Sequence, residues 1–197
     1  MTTSLVLTFI GHDKPGLVNA ISEKVAASGG SWLDSRLAHL AGEFAGILLV
    51  SVPESNVSAL TDGLRDLETN GLRVTVGLCA DAGPAKEETR SIINLDLVGL
   101  DRPGIVRDVT QTLTRLKVNI EEFTSSIESA PFTGEDMFRA ALRLRPPSAL
   151  ANEEMRTALE QLAREMMVDF TVTEGPSATV SCRLHSSDSA SANGGEP

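Results

Sequence analysis

The chain has 197 residues, room for one large domain or two small ones, and its 41% hydrophobic and 22% charged residues are the composition of a folded protein. Seventeen Lys and Arg against 27 Asp and Glu leave a formal charge of −10, which repels phosphate backbones and anionic leaflets alike. With only 4% aromatic residues and no Tyr, stacking platforms for single strands are also scarce, so neither direct nucleic-acid binding nor membrane attachment is expected.

Along the chain, Leu5, Leu7 and Phe9 alternate as in a half-buried strand. The turn Gly11-His12-Asp13-Lys14-Pro15-Gly16 follows, and Leu17, Val18, Ile21 and Val25 are spaced for one face of a helix. Trp32 to Leu40 and Phe44 to Val52 read as two strands closed into a hairpin by Ala41-Gly42. Val57, Leu60, Leu64 and Leu67 form a second helical stripe that Asn70-Gly71 ends, and Arg73 to Cys79 reads as a fourth strand.

The pattern then repeats. Shifted by 88 residues, Gly11 to Val18 falls on Gly99-Leu100-Asp101-Arg102-Pro103-Gly104-Ile105-Val106. Ile93, Leu95 and Leu97 take the places of the first strand, and Ile105, Val106, Val109 and Leu113 those of the first helix. Asn119 to Ile127, Met137 to Arg145, a helix from about Asn152 to Met166 and Val168 to Thr173 complete the second copy. In that helix Met155, Leu159, Leu162 and Met166 point inward, Asn152 is the expected cap, and Glu153 and Glu154 suit the positive end of its dipole.

The order βαββαβ, twice, predicts an α+β protein of two ferredoxin-like modules, each an antiparallel sheet with two helices on one face. The expected division is a first module over 1–80, a linker over 81–90, a second module over 91–174 and a Ser/Ala/Gly-rich tail over 175–197, mostly disordered, with Ala178 to Leu184 a candidate edge strand. Modules this small bury a modest share of their surface, and self-association is expected.

The repeated Asp-x-Pro-Gly turn is the feature with chemistry in it. Pro15 and Pro103 suit a first helical turn, and Asp13 and Asp101 are candidate caps. Gly16 and Gly104 let a small ligand approach the backbone. Past them, the N–H groups of Leu17 and Val18, or of Ile105 and Val106, can receive a carboxylate. The ammonium of an α-amino acid would then fall to Asp13, Asp101 or a nearby carbonyl or amide. Asn119 is expected beside the second turn, and its counterpart Ser31 has no amide, so the second copy reads as the better equipped. The same turn is also simply a well-made helix entry, and duplication copies structural turns as faithfully as sites.

The Asp-x-Pro-Gly-[Ile/Leu]-Val turns and the Asn119-Ile120 pair resemble the ACT-domain family, amino-acid-sensing modules of βαββαβ topology, over residues 4 to 174. A chain of two such modules without a catalytic or DNA-binding domain is similar to the glycine cleavage system transcriptional repressor family. The resemblance implies a regulator whose effector is glycine or another small amino acid, acting by contact with a separate DNA-binding transcription factor. It also implies sites at module interfaces, often made by a homodimer. The ligand-binding residues it implies are His12, Asp13, Lys14, Pro15, Gly16, Leu17, Val18 and Ser31 in the first copy, and Asp101, Arg102, Pro103, Gly104, Ile105, Val106, Asn119 and Ile120 in the second.

No nucleophile elbow, phosphate-binding loop, dinucleotide fingerprint or zinc motif is found, so no catalytic residue, metal or cofactor is expected. The histidines support no shared catalytic role: Leu100 replaces His12 in the second copy, His39 reads as a partly buried strand residue, and His185 borders the tail. Glu121-Glu122 and Glu153-Glu154 read as solvated acids. Arg139, Arg143 and Arg145 should share one strand face, where pairing with neighbouring acids is preferred over docking of an anionic partner. The alternative to a regulator is a non-catalytic regulatory or structural subunit of an amino-acid-metabolism enzyme. No apolar run reaches the roughly 18 residues of a membrane span, and MTTSLVLTFIGHD lacks a basic leader and a cleavage site, so a cytoplasmic location is expected. Cys79 and Cys182 fit no metal-ligand spacing and are not expected to pair.

Overall fold

Strands and helices form where the two periodicities place them. The computed structural model describes residues 1–79, 92–130, 134–147 and 152–175. The chain divides into two compact units. The first runs β1 (Thr2–His12), α1 (Leu17–Ala27), β2 (Ser31–Leu40), β3 (Glu43–Pro53), α2 (Val57–Arg65) and β4 (Leu72–Leu78), with short 3-10 turns at Glu54–Asn56 and Asp66–Asn70. The second runs β5 (Ile92–Leu100), α3 (Ile105–Arg115), β6 (Asn119–Ser129), β7 (Asp136–Arg145), α4 (Asn152–Met166) and β8 (Val168–Gly175). Each unit is one four-stranded antiparallel sheet, ordered β2-β3-β1-β4 in the first and β6-β7-β5-β8 in the second.

The alternating strand residues and the helical stripes meet in one core per unit. In the first, Leu5, Leu7 and Phe9 of β1 pack with Leu48, Val50 and Val52 of β3 against Ile21 and Val25 of α1 and Leu60 and Leu64 of α2. In the second, Leu95, Leu97, Leu142 and Leu144 pack against Val109 and Leu113 of α3 and Met155 and Leu159 of α4. Burying each such side chain contributes about 1.5–3 kcal/mol, and this holds the helices to one sheet face. The side chains of Asn152, Leu162 and Met166, the linker, the tail with its candidate edge strand, Cys182 and His185 lie outside the described residues.

Both units share details that periodicity does not show. The register of β2 shifts between Trp32 and Asp34, and that of β6 shifts between Ile120 and Glu122, so each edge strand carries a bulge at the equivalent residue, Leu33 or Glu121. Gly11 and Gly99 end their strands where another segment presses close: a Cβ on Gly11 would lie 2.5 Å from the Gly71 carbonyl oxygen, and one on Gly99 would collide with Val168.

Four sequence expectations are corrected. Both helices begin after the glycine, with Gly16 and Gly104 as N-caps at φ 96° and 89°, so Pro15 and Pro103 precede the helix instead of occupying its first turn. Neither Asp13 nor Asp101 makes a side-chain cap. Their backbone N–H groups instead donate to Gly42 and Asp136, which ties each turn to the neighbouring hairpin. Val18 and Val106 leave the apolar stripe and are 40% and 41% exposed, because they follow Leu17 and Ile105 by 100° around the helix. His39 is exposed, since an edge strand has no helix above its outer end.

Candidate functional site at the start of the first helix

The left-handed conformation at Gly16 turns the chain from β1 into α1 and leaves the glycine open: a Cβ there would meet nothing within 4 Å. Ala20 N–H is the first to find a helical acceptor, the Gly16 carbonyl at 2.9 Å. The N–H groups of Leu17 and Val18 have no acceptor among the described residues, and the helix dipole adds partial positive charge beside them. These two residues, with Asp13, Lys14, Gly16, Asn19 and Phe44, line a cavity of about 300 Å³. Lys14 Nζ donates to the Asn70 carbonyl, and Asp13 Oδ2 stands 3.7 Å from His39 Nε2. His12, at the end of β1, is exposed and faces Glu43 at 3.7 Å. Together the wall offers backbone donors for a carboxylate and one carboxylate for a cation.

The second turn has the same backbone and a different surface. Ile105 N–H is taken by the Arg102 carbonyl at 3.3 Å, while Val106 N–H has no acceptor among the described residues. Arg102 Nη2 donates to Asp108 Oδ2 at 2.9 Å, and Arg107 donates through Nε and Nη2 to Asp108 Oδ1 at 3.1 and 3.0 Å. Those hydrogen bonds, from Arg102 first and Arg107 second, hold the Asp108 carboxyl below its ordinary value. The Arg107 guanidinium lies over Gly104, 3.2 Å from where a Cβ would stand.

Asn119 and Ile120 are not beside the turn of their own module. Asn119 pairs with Arg145 and Ile120 with Leu144, which pairs onward with Ile93 at the start of β5, whereas the turn follows Leu100 at its end. The crossover helix returns the chain to the far end of the sheet so that β6 runs parallel to β5, about 25 Å from the turn along the strands at ~3.3 Å per residue. Ser31, paired with Ser51 opposite Ser4, stands equally far from Gly16. The preference for the second copy rested on Asn119 and loses its basis. Asn19 and Phe44, which the sequence reading missed, line the cavity instead. Asn19 lies two residues past Leu17 in the first helical turn, and hairpin pairing places Phe44 opposite Gly11.

The basic stripe of β7 is ion-paired, as preferred. Arg139 Nε lies 3.5 Å from Glu128, and Arg143 and Arg145 lie 3.8 and 2.8 Å from Glu121. The Arg145 contact is short but misaligned for a hydrogen bond. Glu121 is therefore no solvated acid: the bulge turns it onto two guanidinium groups, and its side chain is 20% exposed. Among the described residues no group of three His, Cys, Asp or Glu could hold a metal ion, and no helix is long and apolar enough to cross a membrane.

The two βαββαβ sheets with their glycine-opened helix starts define two ferredoxin-like modules in tandem, and residues 3–77 match the family model for the ACT domain. That match spans the first unit, and the second unit repeats its strand and helix order. It resembles the glycine cleavage system transcriptional repressor of Escherichia coli (strain K12), with 24% identity over 162 residues, 82% of this chain and 85% of the relative. The repressor of the same name from Shigella flexneri matches equally. Among solved structures, a protein of unknown function from Galdieria sulphuraria is 30% identical with a TM-score of 0.75, covering 89% of this chain and 100% of that one. A protein provisionally described as a glycine cleavage system transcriptional repressor has a TM-score of 0.66 at 20% identity, covers 90% of this chain and 99% of that one, and supports the fold alone.

Proposed function

We propose that the chain is an amino-acid-responsive regulator of the glycine cleavage type. Its effector is glycine or another small amino acid, and it acts as a transcriptional repressor through contact with a separate DNA-binding activator in the cytoplasm. The observation that carries this reading is the pair of unclaimed N–H groups at Leu17 and Val18 on the wall of the cavity beside Gly16. The repressors that the chain resembles along most of its length support the regulatory part.

In this mechanism the effector carboxylate accepts from the start of α1, and its ammonium approaches Asp13. Asp13 also donates its N–H to Gly42 and faces His39, so the ligand bears on the tip of the β2–β3 hairpin. Binding favours the arrangement with the higher ligand affinity, and that difference sets the size of the response. A homodimer belongs to the reading, because β2 is the end strand of its sheet and end strands invite pairing.

Calorimetry of the full chain against small amino acids tests the proposal. Glycine or a close analogue should bind, and Asp13→Ala should weaken it about tenfold or more, the cost of losing a charge-assisted contact. A flat titration across the panel sinks the sensing role. Co-purification separates the outputs: a DNA-binding partner supports the repressor, whereas an amino-acid-metabolism enzyme would make the chain its non-catalytic subunit.

A further inference from the structure

Resting on the effector site read at the first turn, we propose that its ligand carries an aliphatic side chain of valine or leucine size, held against Phe44 and Val18, and that glycine is the weaker fit. Two of the three groups on the ligand's α-carbon are spoken for in that site: the carboxylate by the Leu17 and Val18 amides, the ammonium by Asp13. The third group meets what remains of the wall. Phe44 reaches it through its pairing opposite Gly11, and its ring lies 5.8 Å from that of Phe9 in the first core, so this apolar surface stands ready before any ligand arrives. Val18, which the helical turn leaves 40% exposed, adds a second apolar surface.

The polar side chains on the same wall are already engaged. Lys14 Nζ donates to the Asn70 carbonyl and Asn19 Nδ2 to Glu23 Oε1 at 2.7 Å, so a polar ligand side chain would compete with protein oxygens for them while giving up its own water. Size points the same way. At ~30 Å³ per water-sized group, a cavity of about 300 Å³ takes about ten heavy atoms, twice the five of glycine and close to the nine of leucine. Glycine leaves half of that space to water, and each methylene buried in its place is worth about fourfold in affinity. The feature is particular to the first turn. In the second copy the place of Asn19 is taken by Arg107, whose guanidinium lies over Gly104.

Calorimetry of the full chain with glycine, threonine, valine and leucine decides it. Valine or leucine should bind at least tenfold more tightly than glycine. Valine should also bind at least threefold more tightly than threonine, its isostere with a hydroxyl in place of one methyl group. Val18→Ala, at an exposed helical position, should lower the leucine-to-glycine affinity ratio at least threefold, with a thermal melt showing the variant folded. The aliphatic pocket is overturned, and the sensing role left standing, if glycine binds as tightly as valine and leucine, if threonine matches valine, or if the ratio is unchanged in Val18→Ala. Absence of heat with all four amino acids at millimolar concentration overturns both.

Discussion

Gly11 and Gly99 occupy the same place in the two copies, and both are glycine because another segment presses against them. Replacing either by Ala forces backbone or a branched side chain to move, and a loss of at least ~1–3 kcal/mol in urea unfolding is expected. Gly16→Ala meets open space and carries only the left-handed strain, about 1–2 kcal/mol. A smaller loss at Gly11 than at Gly16 would contradict this separation of crowding from strain. Asp108 supports a pH prediction. Its carboxyl titrates lower in the folded chain than when unfolded, so its contribution is fully present above the ordinary 3.8 and is lost as pH falls through the depressed value. Asp108→Asn should flatten the acid side of the stability curve below pH 3.8 and leave its neutral-side slope unchanged, as thermal melts across pH would show. The sequence marked Asp13, Gly16 and Gly104 as special but not this triad, because residue order does not show that Arg102 and Arg107 converge on Asp108.

The eight strands and four helices were legible because buried alternation and helical stripes are written directly into residue order. The two bulges were not, since one extra residue in a polar edge strand leaves no periodic trace, and the bulge is what brings Glu121 to Arg143 and Arg145. The position of Asn119 was misread for a different reason: local spacing says nothing about which sheet end a crossover helix returns to. The helix ends allow a stability prediction. After α1 the chain turns at Gly29, φ 65°, with Gly30 N–H donating to the Val25 carbonyl. After α3 the same turn is made by Lys117, φ 56°, with Val118 N–H donating to Leu113. Lys117→Gly should therefore stabilise the second unit by about 1 kcal/mol, raising its melting temperature by a few degrees. A lowered melting temperature would show that the lysine side chain offsets the strain.

Taken together, the two units show how duplication separates architecture from chemistry. Both keep the core, the hairpin ties and the glycine-led helix starts. They differ in what surrounds them: a cavity at the first turn and a guanidinium-covered carboxylate at the second. The net charge of −10 and the ion-paired stripe on β7 favour contact with another protein over contact with DNA. The sensing role rests on the amides at the start of α1 donating to the carboxylate of a small zwitterion, and amide NMR of the full chain during a glycine titration tests that most directly. The Leu17 and Val18 N–H resonances should shift saturably and together, ahead of those elsewhere in α1. A titration in which those two resonances stay fixed while glycine perturbs other regions, or perturbs none, would contradict it.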